Sequence, residues 1–146
     1  MTSTPDFPFM RAMPVLDCSD IGASVAFWRD ELGFDGATWG EPPTFAIMQR
    51  GTASIALALR PKNEVAVSRN WAAYIYVEDV DVLYEEYKAL GVELPHPPTT
   101  RVYNCREFVV DDPDGHVIAF GQVLNPDPLG PGLGNRVGRD RKASPS

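Results

Sequence analysis

VLDCSDIGASVAFWRDELGF, residues 15–34, and YIYVEDVDVLYEEYKALGV, residues 74–92, are two versions of one pattern. Each opens on a short apolar run, turns acidic, continues as an amphipathic stretch and closes on Leu-Gly. Asp20 and Asp79 carry the short acceptor side chain that takes hydrogen bonds from the free N–H groups of a helix's first turn. Gly33 and Gly91 stand where a helix ends in the left-handed conformation, which costs glycine little. Between these signals Val25, Phe27, Trp28 and Leu32, and in the second copy Val82, Leu83, Glu86, Tyr87 and Leu90, form mostly apolar stripes at helical spacing. Asp20 to Gly33 spans 13 positions and Asp79 to Gly91 spans 12, so the two helices differ by one residue. An internal repeat of this kind decides architecture, because each copy is one supersecondary unit.

Strand-like material surrounds both helices. The opening strands are expected over Arg11–Cys18 and Ala72–Glu78. After the first helix come Thr44–Gln49 and Ser54–Leu59, joined by Arg50-Gly51-Thr52; after the second come Arg106–Val110 and Val117–Gln122, joined by Asp112-Pro113-Asp114-Gly115. In that last turn proline pre-sets φ and glycine accepts the positive φ. The order predicts an α+β domain over residues 7–122, two tandem βαβββ modules (about 7–62 and 70–122) forming a curled mixed sheet around a cleft. Residues 123–146, VLNPDPLGPGLGNRVGRDRKASPS, read as a Pro/Gly-rich tail with too few apolar residues to offset the entropy of ordering.

Composition narrows the function. At 146 residues, with 44% hydrophobic and 23% charged, the chain has the make-up of an ordinary globular domain. The net charge is −7 from 13 basic and 20 acidic residues. The tail holds Arg136, Arg139, Arg141 and Lys142 against Asp127 and Asp140, which leaves 9 bases and 18 acids in the body. So acidic a body disfavours nucleic acid as a partner. No apolar run approaches the roughly 20 residues of a membrane span, and Met1 to Phe9 carries no secretion signal, so a cytoplasmic location and no membrane partner are expected. Cys18 and Cys105 are far apart and outside any metal-like spacing, which suits small apolar residues in or near the core.

MPVLDCSDIGASVAFWRDELGF (13–34), YIYVEDVDVLYEEYKALGV and CREFVVDDPDGHVIAFGQ (105–122) together resemble the vicinal-oxygen-chelate superfamily of glyoxalases, bleomycin-resistance proteins and extradiol dioxygenases. The REF…DP.G pattern of the third stretch looks most like the bleomycin-resistance branch. The resemblance implies two βαβββ modules around a cleft, usually completed in a homodimer. Its enzymatic members hold a divalent metal there through His and Glu or Gln side chains; its antibiotic-binding members sequester a drug without one. In the metal-binding relatives one ligand lies seven residues before each capping aspartate, where this chain has Met13 and Ala72. The other ligand positions fall at Ala56 or Ala58 and at Ala119. Alanine offers no donor and a thioether is a soft one, and His96 and His116 lie off the expected strands. The resemblance therefore implies no metal, no cofactor and a partly apolar cavity.

Strand parity puts Tyr74 and Tyr76 on the cleft side with Ala72. Phe45 resembles an aromatic position of the antibiotic-binding members, and Trp39, Trp71 and Tyr103 are expected near the mouth. With acids such as Asp35, Glu41 and Glu78, such walls suit a flat cationic or aromatic ligand. Trp28 and Phe27 are expected in the core. Bleomycin-binding relatives carry a Gly-Arg-Glu-Phe run after an aromatic; here Cys105 replaces the glycine and Tyr103 is displaced by one. Arg106 and Glu107, of opposite parity, read as structural hydrogen-bond partners, and no catalytic residue is assigned. Three functions remain: a metal-free binder of a small molecule, a metal-dependent lyase, isomerase or dioxygenase, and a structural module whose cleft is filled.

Overall fold

A computed structural model describes residues 8–125. The tail beyond residue 125 and the body's first residue, 7, lie outside the described residues.

The elements follow the repeat. In the first copy β1 (Val15–Cys18), α1 (Ile21–Ala26), a π-helical turn (Phe27–Glu31), β2 (Asp35–Trp39), β3 (Phe45–Arg50) and β4 (Ala53–Leu59) succeed one another. After a short 3-10 turn (Lys62–Glu64), the second copy supplies β5 (Trp71–Tyr76), α2 (Val80–Ala89), β6 (Thr99–Thr100), β7 (Cys105–Asp111) and β8 (Val117–Val123). The strands form two four-stranded sheets, ordered β1-β4-β3-β2 and β5-β8-β7-β6. The second order is the first repeated four strands later, as two tandem βαβββ modules require. In the first sheet β1 runs parallel to β4, with Val15 opposite Ala56, while β3 is antiparallel to β4 and to β2.

Both helices begin as the aspartates dictate. Asp20 Oδ1 accepts from Ala23 N at 3.0 Å and Asp79 Oδ1 from Val82 N at 3.1 Å. Gly33 (φ 80°) and Gly91 (φ 84°) end the helical stretches in the left-handed region. The one-residue difference is absorbed by the π-helical turn, where Leu32 N reaches back five residues to Phe27 O at 3.2 Å. A π-turn is how a helix accommodates a single inserted residue without rotating the rest of its apolar face. Trp28 and Leu32 thereby both stay fully buried.

The described chain divides into two compact units: residues up to Ala73 with Asp111–Val117, and Tyr74–Val110 with the residues from Ile118 onward. In the first, Trp28 packs edge-on against Phe34 at 4.9 Å, and Met48, Ile55 and Leu57 are buried as well. In the second, Tyr87 meets Phe108 and Phe120 edge-on at 6.1 and 5.5 Å, and those two rings stack at 5.4 Å. Each such large apolar side chain contributes about 1.5–3 kcal/mol on burial. Cys18 and Cys105 are buried free thiols.

Several expectations need correction. β1 starts at Val15 rather than Arg11, since Pro14 has no N–H to give to a ladder, although its carbonyl accepts from Ala56 N. β5 runs Trp71–Tyr76, not Ala72–Glu78, and the remaining strand ends fall where expected or move by one residue. β2 and β6 were not anticipated. Val82 and Leu90 do not belong to the buried stripe of α2, whose buried residues are Val80, Leu83 and Tyr87. At 100° per residue Val82 lies roughly 130° from the centre of that face and is 64% exposed; Leu90 falls on the C-cap, past the last packed turn.

Candidate functional site

A polar cluster sits on the second unit's sheet, built from side chains of opposite parity to the Phe108–Phe120 pair. Glu107, on β7, is only 4% exposed. Its Oε1 accepts from the Tyr74 hydroxyl at 2.9 Å and the Tyr103 hydroxyl at 2.6 Å. Its Oε2 accepts from Arg101 Nε at 3.4 Å. Tyr76, 52% exposed, lies beside Tyr74 with ring centroids 5.0 Å apart. Two hydroxyl donors on one oxygen suit an acceptor-only carboxylate.

The cluster has a backbone requirement. Tyr74 belongs to β5 and Glu107 to β7, and β8 lies between them in the sheet. Tyr74 therefore crosses over β8, and it does so at Gly121, where any Cβ would fall into the Tyr74 ring and hydroxyl. A glycine inside a strand marks such a close approach. At the other side Arg101 N donates to Cys105 O and Asn104 N to Arg101 O, closing a tight turn with Asn104 at φ 70°. Asparagine tolerates that region better than most residues. The turn carries both Arg101 and Tyr103 to the carboxylate.

These phenols are held protonated. Burial, reinforced by hydrogen bonds with Cys105 and Glu107, pushes Tyr74 far above its ordinary value of 10.0. Burial and the bond to Glu107 push Tyr103 up to about 12. Burial also raises Tyr76. Near neutral pH the group offers hydroxyl donors and ring faces, not a phenolate base.

The first unit holds the other aromatic candidates. Trp39, 51% exposed, is on β2 and pairs across the strands with Phe45 of β3, their rings 6.2 Å apart. Trp71 and Ala72 line a cavity of about 270 Å³ with Val15, Leu16, Asp17 and His116. That volume is just below the common range for small-molecule pockets, roughly 300–1,000 Å³. His116, 3% exposed, holds Asp17 O through Nε2 at 2.7 Å, while its Nδ1 has no hydrogen-bond partner among the described residues. Asp112 accepts from the Asp114 and His116 amides, and burial raises its pKa. Burial pushes the Cys18 thiol up to about 11, away from the thiolate form that reacts.

The six aromatic candidates thus fall into separate groups: Tyr74, Tyr76 and Tyr103 converge, Trp39 pairs with Phe45, and Trp71 lines the cavity. Sequence reasoning missed Glu107 as the hub, and with it Arg101 and Gly121. Gly121, inside an otherwise continuous strand pattern, was the one signal available. Arg106, read as a structural partner, pairs with Asp81 through two 2.9 Å contacts.

The positions at which the metal-binding relatives carry their ligands hold alanines and one methionine here. Ala56 and Ala119 are fully buried, Ala72 is half-buried and Met13 is partly exposed. Among the described residues no three His, Cys, Asp or Glu side chains are close enough to hold an ion. The donor set does not fit a divalent cation. No helix of the described residues is long and apolar enough to cross a membrane.

Comparison with known proteins agrees with the order of elements. The family model described as the Glyoxalase/Bleomycin resistance protein/Dioxygenase superfamily matches residues 13–120. A bleomycin resistance protein of Geobacillus stearothermophilus is 28% identical over 133 residues, covering 79% of this chain and 98% of its own length; a Staphylococcus aureus counterpart matches equally. Among solved structures, the bleomycin-binding protein of bleomycin-producing Streptomyces verticillus, complexed with copper(II)-bleomycin, is 28% identical with a TM-score of 0.63, covering 79% of this chain and 97% of that one. A lactoylglutathione lyase from Agrobacterium tumefaciens shares the fold at 20% identity and TM-score 0.61, over 82% of this chain and 96% of that one.

Proposed function

Since this chain belongs to the Glyoxalase/Bleomycin resistance protein/Dioxygenase superfamily, we propose that it is a metal-free small-molecule binding protein, of the kind that sequesters a bleomycin-type antibiotic. The observation that carries this reading is the 28% identity, over almost their entire length, to proteins named for bleomycin resistance and bleomycin binding. The site supports it chemically. Tyr76, Trp39 and Trp71 are exposed; half-buried Tyr74 lies beside Tyr76, half-buried Phe45 beside Trp39, and half-buried Tyr103 shares Glu107 with Tyr74. Aromatic faces with few fixed polar groups are what flat, partly apolar ligands need. A metal-dependent lyase or dioxygenase is the alternative, and it would need donors that Met13, Ala56, Ala58, Ala72 and Ala119 do not supply. Under this proposal the working form is a cytoplasmic homodimer of the domain at residues 7–122, with no nucleic-acid or membrane partner and no cofactor.

Isothermal titration of the full chain with copper(II)-bleomycin and with metal-free bleomycin tests the reading. The expected result is a dissociation constant at or below about 10 μM, worth roughly 7 kcal/mol. Absence of heat at about 100 μM with either form would overturn it. An enzyme of the fold would instead purify with, or be stabilised by, stoichiometric Zn, Ni, Mn or Fe.

A further inference from the structure

The Glu107 cluster is asymmetric, and the asymmetry has a use. Oε1 is saturated by two tyrosine hydroxyls. Oε2 receives a single contact among the described residues, from Arg101 Nε at 3.4 Å. A strong guanidinium–carboxylate pair is bidentate, at about 2.7–2.9 Å; this one is longer, uses the inner nitrogen alone, and belongs to a side chain 53% exposed. A carboxylate has about four lone-pair sites, so Oε2 keeps acceptor capacity while its side chain is only 3% exposed. Burying a carboxylate is costly unless it is paired, and the chain invests two tyrosines and a strand glycine in placing this one. It lies on the sheet face away from the Phe108–Phe120 core. The half-exposed ring of Tyr76 stands beside it, through Tyr74.

We propose that Glu107 is the anionic end of a subsite for an organic cation, an amidine, amine or guanidinium borne on an aromatic body, which takes the place of Arg101 at Oε2. The aromatic body lies against Tyr76 and Tyr103, whose faces attract positive charge. Arg101 then acts as a resident counter-ion: it neutralises the carboxylate when the site is empty and swings into solvent when a ligand cation arrives. Tyr74 and Tyr103 hold the carboxylate in place throughout, since phenols donate to it but cannot neutralise it. This deepens the proposed function and rests on this face being ligand-binding surface.

The test uses two probes on the full chain: diamidinophenylindole, a planar dication, and phenylindole, its neutral parent. Binding is followed by fluorescence and calorimetry. Wild-type protein is expected to bind the dication at micromolar concentration. Glu107→Gln should weaken that binding about tenfold or more, the size of one charge-assisted hydrogen bond, and change the neutral probe less than twofold. Arg101→Gln should tighten the dication severalfold, an effect that a purely structural ion pair would not produce. Failure of the dication to bind at about 100 μM, or an equal loss for both probes in Glu107→Gln, overturns the proposal. Should Glu107→Gln not fold, Arg101→Gln decides, and unchanged or weaker dication binding is the overturning result. Refusal of copper(II)-bleomycin with the Glu107 dependence intact would remove the bleomycin reading alone.

Discussion

Five residues before the capping aspartate of the first copy stands Val15; five before that of the second stands Tyr74. Three before, the pair is Asp17 and Tyr76. The strands, caps and terminal glycines of the two copies are otherwise alike, and the sheets repeat one strand order. Val15 is exposed and Asp17 accepts from the backbone of Ala66, whereas Tyr74 and Tyr76 build the cluster around Glu107. The frame common to both copies is set by caps, glycines and the helix-facing apolar residues. Positions of the other parity are free of that frame, and there the copies have diverged into chemistry. The cores diverge as well, within the same frame: an indole against Phe34 in one, a phenol among two phenylalanines in the other.

The largest effect expected is on the first core. Trp28 is fully buried, flanked by Phe27 at 6.1 Å and Phe34 at 4.9 Å. Trp28→Ala should cost about 3–5 kcal/mol by loss of transfer energy and a residual cavity, read as a lower urea midpoint. Trp28→Phe should cost far less than Trp28→Ala. It keeps a ring and removes an indole N–H that is buried without an acceptor among the described residues, which offsets part of the lost volume. Equal losses for the two variants would mean that the indole, not ring packing, anchors this copy.

A middle-sized effect tests the second copy's divergence. Gly121→Ala should destabilise by about 1–3 kcal/mol, because its Cβ would overlap the Tyr74 ring. Tyr74→Ala removes the obstacle, so the double variant should show a coupling of about 1 kcal/mol or more between the two sites. Strict additivity would show that Tyr74 does not cross β8 at Gly121, and the account of how the cluster is placed would fail with it.

How much of this was legible follows the same division. Caps, terminal glycines and the one-residue difference between helices are local signals, and they placed both modules; the π-helical turn is that difference made structural. β2 was not legible, because Asp35–Trp39 is exposed throughout and so shows no alternation of apolar and polar residues; β6, two threonines between prolines and Arg101, has no length to carry a pattern. The aromatic positions were readable by parity, but their grouping was not. The Tyr74–Glu107 bond joins residues 33 apart, a distance at which spacing says nothing and only the strand order β5-β8-β7 brings them together. The same holds for His116 and Asp17, 99 apart.

The smallest effect separates the two caps, which otherwise look interchangeable. Asp20 and Asp79 each accept one amide hydrogen bond of about the same length, so each substitution by alanine removes one acceptor, worth typically ~1 kcal/mol. The second helix has further support: Gln122 Oε1 accepts from Val80 N at 2.9 Å, satisfying another free donor of the first turn. Among the described residues α1 has no second side-chain acceptor of this kind, and it spans only six α-helical residues before its π-helical turn. Asp20→Ala should therefore lower the melting temperature more than Asp79→Ala, by a difference of a few degrees. Adding Gln122→Ala to Asp79→Ala should close that gap. If Asp79→Ala alone proves the more damaging, the glutamine does not substitute for the cap, and the two helices are held at their starts by different means.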